Sequence, residues 1–195
     1  MTGSTLNMHY TIADPKTFGI SEYEPVLPIY HSDQPEDSKE HCSDLLHRLD
    51  RIDPDRLSPE NAYTYRLLHR SLENDLALAD FPYYNEPLSP SSGMQSQLPV
   101  LLAEYTFRTK RDVTDYLALL DQIDDYFASL LLYEQEKAAA GFFMPACSSE
   151  KVRKQCDTIV TTEELAQGTH FLQTTFEDRL SELQKQGLFT PEETA

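Results

Sequence analysis

Histidine is the residue type here best suited to chemistry, and there are six: His9, His31, His41, His47, His69 and His170. A zinc site needs three or four His, Cys or carboxylate ligands converging on one tetrahedron. His41, Cys42 and His47 lie close together on one predicted helix. Their spacing puts the side chains on different faces, where an i, i+4 pair would share one. No His-Glu-x-x-His segment occurs, so the spacings assign no metal ligand. Nucleophilic chemistry fares no better. There is no Gly-x-Ser-x-Gly, and Cys42, Cys147 and Cys156 show no Cys-x-x-Cys spacing. Cys42 and Cys156 fall on apolar stripes, which predicts buried thiols. Six glycines leave no phosphate cradle. Carboxylate pairs such as Asp124/Asp125 and Glu134/Glu136 are expected to face solvent. No catalytic residue is assigned.

Binding chemistry is better represented. The stretch from Phe81 to Pro99 holds Tyr83, Tyr84, Glu86, Met94, Gln95 and Gln97, with Tyr105 close by. Aromatic and amide groups together suit a peptide or small-molecule surface. The same aromatics would also serve to pin a long loop onto helices. Its prolines and polar run predict a long ordered loop.

The elements around this loop read as helices. Leu6–Ile12 is short and mixed, and Phe18–Pro28 is proline-punctuated and extended. Pro35 opens a helix to about Ile52, with Cys42, Leu45, Leu46, Leu49 and Ile52 at steps of three and four. Ser58-Pro59-Glu60 starts the next, Ser as N-cap and Pro at the first position. A short helix is expected over Leu98–Tyr105. Thr109 and Asp112 form a capping box, followed by an apolar stripe from Val113 to Leu131 with room for a break near Asp124. Ser148 or Ser149 starts another helix, and Phe171–Gln184 gives one more. The fold class is therefore all-α: an irregular array of about six or seven helices, with room for a short β-hairpin at Phe18–Tyr30 or Phe81–Leu88. No internal repeat or domain boundary appears in residues 1–195. Thr190-Pro191-Glu192-Glu193 is a helix start lying at the end of the chain, which predicts a fragment of something longer.

Composition bounds the partners. Hydrophobic residues at 39% and charged ones at 25% are ordinary for a globular domain. Asp and Glu number 33 against 16 Lys and Arg, for a net charge of −17. A phosphate backbone would be repelled, so no nucleic-acid partner is expected. No apolar run reaches the ~20 residues of a membrane span. Met1-Thr2-Gly3-Ser4 carries neither the basic segment nor the apolar stretch of an export signal, so none is expected in these residues.

Against these residues a family resemblance stands out. The segment Tyr84–Pro145, beginning YNEPLSPSSGMQSQLP, resembles the N-terminal half of the bacterial family catalogued as domain of unknown function 885. LNMHYTIADPKTFGI (Leu6–Ile20), LSPENAYTYRLLHRSLENDL (Leu57–Leu76) and TTFEDRLSEL (Thr174–Leu183) are similar to the same family in the same order. The resemblance implies a longer, largely helical protein like the zincin metallopeptidases, whose zinc-binding His-Glu…His helix lies far downstream. No metal ligand is carried over to this chain, which is expected to be inactive alone. It implies zinc in the parent, the remaining C-terminal region of the same polypeptide as partner, and a peptide substrate. The compartment stays open, with an exported or cell-envelope parent implied. Gln95, Gln97 and Tyr105, in the segment Ser89–Tyr105, become the candidate substrate-binding residues of a cleft wall. The rival expectation is a free-standing acidic helical interaction module without enzymatic activity.

Overall fold

The computed structural model describes residues 5–30 and 35–189, with the backbone alone for 35–38. Residues 190–195, with the expected helix start at Thr190, and His31 lie outside the described residues. Among the described residues the chain is all-α, with nine α-helices, two 3₁₀ turns and no strand. The helices are α1 (Thr5–Thr11), α2 (Pro35–Leu49), α3 (Pro59–Leu78), α4 (Met94–Glu104), α5 (Lys110–Leu120), α6 (Ile123–Ala139), α7 (Ala146–Ile159), α8 (Thr162–Gln167) and α9 (Phe171–Lys185). None of them is long and apolar enough to cross a membrane.

Local start signals act where they were expected. Ser58 Oγ accepts from the Asn61 N–H at 3.3 Å, with Pro59 just inside α3. Thr109 Oγ1 accepts from the Asp112 N–H at 3.3 Å, and Asp112 Oδ2 accepts from the Thr109 N–H at 2.7 Å. The long apolar stripe breaks at Asp121 and Gln122, between α5 and α6. Two starts differ from expectation. Helix α7 begins at Ala146 behind Pro145, ahead of the serines. Helix α4 begins at Met94, four residues ahead of Leu98, and runs through Pro99. A proline inside a helix removes one hydrogen bond and costs ~3 kcal/mol. Burial offsets that cost: Leu98, Pro99 and Leu102 are buried where α4 packs on α7 and α9.

The expected hairpin does not form, and the reason is chemical. Pro25 and Pro28 lack N–H groups, so a ladder across 20–30 would be interrupted. Side chains from α1, α6 and the α5–α6 break take the place of a partner strand. Val26 N–H donates to Thr5 Oγ1 at 2.7 Å, Leu27 N–H to Gln122 Oε1 at 3.0 Å and Tyr30 N–H to Ser129 Oγ at 3.1 Å. Gln122 Nε2 in turn donates to the Pro25 carbonyl at 2.8 Å. Residues 81–84 instead form turns, with Tyr84 N–H on the Phe81 carbonyl at 3.0 Å.

The chain divides into two compact units. The first takes its described residues from Met1–Tyr30, Pro87–Glu134 and Phe143–Ala195. Its core joins Leu98, Leu102, Tyr105, Tyr116, Leu119 and Leu183, all at most 1% exposed. Arg179 lies over the Phe107 and Tyr116 rings at 4.5 and 4.9 Å. Its Nη1 donates to the Leu102 and Tyr105 carbonyls, pairing the end of α4. The second unit takes its described residues from His31–Glu86 and Gln135–Phe142. There α2 packs on α3 as a helical hairpin.

Candidate functional site

The first unit carries two cavities of different chemistry. One is an apolar groove of about 260 Å³, lined from α4 by Gln95, Leu98, Pro99 and Leu102. Ile123 and Phe127 of α6, Cys156 and Ile159 of α7, Val160 and Leu172 complete it. Cys156 was expected as a buried thiol, and the structure corrects this: its stripe faces the groove, and the residue is exposed. Desolvation there, with Asp157 beside it, pushes the thiol pKa up, so it stays protonated at neutral pH. Cys42 is half-buried.

The loop before α4 is ordered by amides. Gln95 Nε2 donates to the Ser89 carbonyl at 2.7 Å and to Gln155 Oε1 at 2.9 Å, and Gln155 Nε2 donates to the Pro90 carbonyl at 3.0 Å. Gly93 has no room for a side chain. A Cβ there would lie 2.0 Å from Gln95 Oε1 and 2.2 Å from Ser89 N. The aromatics of this stretch go elsewhere: Tyr83 meets Phe142 at 6.0 Å between ring centroids, and Tyr84 is 76% exposed. Glu86 pairs with the buried ammonium of Lys137.

The second cavity, the more polar of the two, is larger, about 480 Å³, and opens between residues 13–23 and the start of α5. Lys16, Tyr23, Arg108, Arg111 and Asp112 line it, with Ala13, Pro15 and Ile20 on its apolar side. Asp112 Oδ2 is occupied as the cap of α5, taking the N–H groups of Arg108 and Thr109 at 2.9 and 2.7 Å. Asp14 is likewise occupied, accepting the Lys16 N–H at 3.1 Å. Arg111 is fixed over the Tyr23 ring at 4.0 Å and donates to the Tyr23 carbonyl at 2.7 Å. Buried Asp115 takes the Tyr23 hydroxyl at 2.9 Å and lies 3.4 Å from Arg111 Nε. Burial and the bond to Asp115 push the Tyr23 pKa up to about 12.

Behind this wall sits His9, 6% exposed, stacked on Tyr105 at 3.7 Å between centroids. Its Nδ1 lies 3.8 Å from Asp112 Oδ1, and its Nε2 lies 3.4 Å from Arg108 Nη1. Burial, then the Arg108 charge, holds its pKa below the ordinary 6.5, so the ring is neutral at neutral pH. The pocket thus offers fixed donors and cations. Its carboxylates are engaged by these donors.

Gln95, Gln97 and Tyr105 are not gathered into one place. Gln95 lines the apolar groove, and Tyr105 lies fully buried behind the polar pocket. Gln97 is exposed and lines neither cavity. Sequence reasoning missed Lys16, Arg108 and Arg111. The signal was present: Arg108, Lys110 and Arg111 form a basic run in a strongly acidic chain.

The family described as bacterial protein of unknown function (DUF885) matches residues 16–192. The chain belongs to that family. No curated protein and no solved structure matches it. Among the described residues, no three His, Cys, Asp or Glu side chains gather into a group that could hold a metal ion.

Proposed function

We propose that the chain is the helical, cleft-forming portion of a zinc peptidase-like protein, binding peptide side chains while the metal-bearing segment lies elsewhere in that protein. The observation that carries this reading is the apolar groove. Four of its lining residues come from the Ser89–Tyr105 stretch, held in place by the Gln95–Gln155 amide relay. A volume of about 260 Å³ suits one or two apolar side chains rather than a drug-sized ligand. Many large apolar side chains are also exposed, among them Leu131 at 60% and Phe143 at 73%, which suits a surface that another segment covers.

The test is a fluorescence-anisotropy titration of the purified chain with labelled peptides carrying Leu or Phe, beside a zinc-supplemented hydrolysis assay. Binding without cleavage is expected. Val160→Phe, which fills the groove from its exposed rim, should weaken binding at least tenfold. Cleavage by this chain alone, or undiminished binding by V160F, would sink the reading.

The second reading, a free-standing acidic interaction module, is favoured by the half-exposed apolar faces of α2 and α3, where Leu67 and Leu68 are 53% and 50% exposed. Peptide binding confined to the hairpin would select it.

A further inference from the structure

We propose that the polar pocket of the first unit is a binding site for a small organic acid, its carboxylate paired with Lys16 and Arg108 and its carbon body lying on Pro15 and Ile20. This does not rest on the peptide-groove reading.

Acidic side chains outnumber basic ones about two to one in the chain, 33 to 16, yet the lining of this pocket holds three basic residues and two acidic ones. Both acids are engaged by backbone N–H donors, Asp14 by Lys16 and Asp112 by Arg108 and Thr109. Arg111 is engaged too, by Asp115 and by the Tyr23 carbonyl. Two cations are left over. Lys16 Nζ has no hydrogen-bond or ion-pair partner among the described residues. Among the described residues the Arg108 guanidinium reaches only the His9 ring, through one nitrogen at 3.4 Å, which leaves the rest of its fork available.

Size and lining then select the class of ligand. About 480 Å³ far exceeds a bare inorganic anion and falls within the range of small-molecule sites. One side of the pocket is apolar, from Ala13, Pro15 and Ile20, which gives a carbon chain something to lie on. With three basic and two acidic residues the lining keeps a small positive excess, which disfavours a metal cation. A guanidinium fork matches the two oxygens of a carboxylate.

Isothermal titration of the full chain with hexanoate, hexanamide and inorganic phosphate tests the proposal. Hexanoate should bind, hexanamide should bind at least tenfold more weakly, and added salt should weaken hexanoate. Lys16→Ala and Arg108→Ala should each weaken hexanoate at least fivefold. Arg153→Ala, an exposed arginine on α7, should leave it unchanged. Both pocket side chains are exposed, so melting temperatures of the variants should match the parent. Equal binding of acid and amide, equal binding of phosphate, or unchanged affinity in K16A and R108A would overturn the proposal.

Discussion

Sixteen apolar side chains are buried among the described residues, and every one belongs to the first unit. In the second, Lys137 is the only buried side chain described. The α2–α3 hairpin keeps Leu45, Leu46, Leu49 and Leu72 half-buried along its seam and leaves Tyr63, Leu67 and Leu68 half or more exposed. Helix starts are equally well built in the two units, with Ser58 capping α3 and Thr109 capping α5. Good local signals therefore coexist with very different burial. Most helical stability in proteins comes from tertiary packing of an apolar face. The hairpin belongs at the low end of local stability and the first unit near the global limit.

The sharpest way to break this contrast is a paired truncation. Leu102→Ala in the first unit should cost about 2–5 kcal/mol in urea unfolding. Leu68→Ala on the hairpin should cost about 0.5 kcal/mol, as an exposed position does. A hairpin variant as costly as the core one would mean that this face is covered in solution. Next in size is Gly93→Ala, whose methyl group would overlap Gln95 and Ser89. A loss of about 1–3 kcal/mol is expected, confined to the loop and α4 in hydrogen exchange.

Cap removal separates the units more finely. Ser58→Ala and Thr109→Ala should each remove about 1 kcal/mol from their helices. In hydrogen exchange S58A should speed α3 alone, whereas T109A should lower protection across the first unit. Equal, chain-wide effects would show that the two unfold as one.

The smallest effect is a pH dependence. His9 has its pKa lowered by burial in the folded state, so the unfolded chain binds its proton more readily. This stabilising contribution is complete above the ordinary value of 6.5 and is lost as pH falls below it toward the folded value. Urea midpoints of the parent should drop between about pH 7.5 and pH 5 more than those of His9→Gln. Identical slopes would refute the assignment.

These contrasts also mark where the sequence was legible. Caps are local, so Ser58 and Thr109 announced their helices three residues ahead of the bonds they make. The start of α4 was hidden because proline is expected in the first turn of a helix, as in the range Leu98–Tyr105, and not five residues in, where burial against α7 and α9 outweighs its cost. Cys156 misled for a related reason: periodicity finds the face of α7 that is apolar, but not whether that face meets a core or a groove. Gln95 was singled out for its chemistry and turned out to combine two roles, ordering the loop and lining the groove. Gln97 was singled out for the same amide chemistry and Tyr105 for lying nearby, but the turns of α4 do not keep the three together in space. The polar pocket needed residues 14–23 beside 108–112, a pairing that no local pattern encodes. The basic run at 108–111 was its one visible trace.

The extended segment 20–30 has a consequence for how the chain avoids association. A stretch with free N–H and carbonyl groups invites another strand to pair with it, the first step of aggregation. Here Thr5, Gln122 and Ser129 occupy those groups one at a time. Gln122 alone holds two consecutive peptide groups, at Pro25 and Leu27. A glutamine at the break between two helices thus guards a segment nearly a hundred residues away against recruitment by a neighbouring molecule.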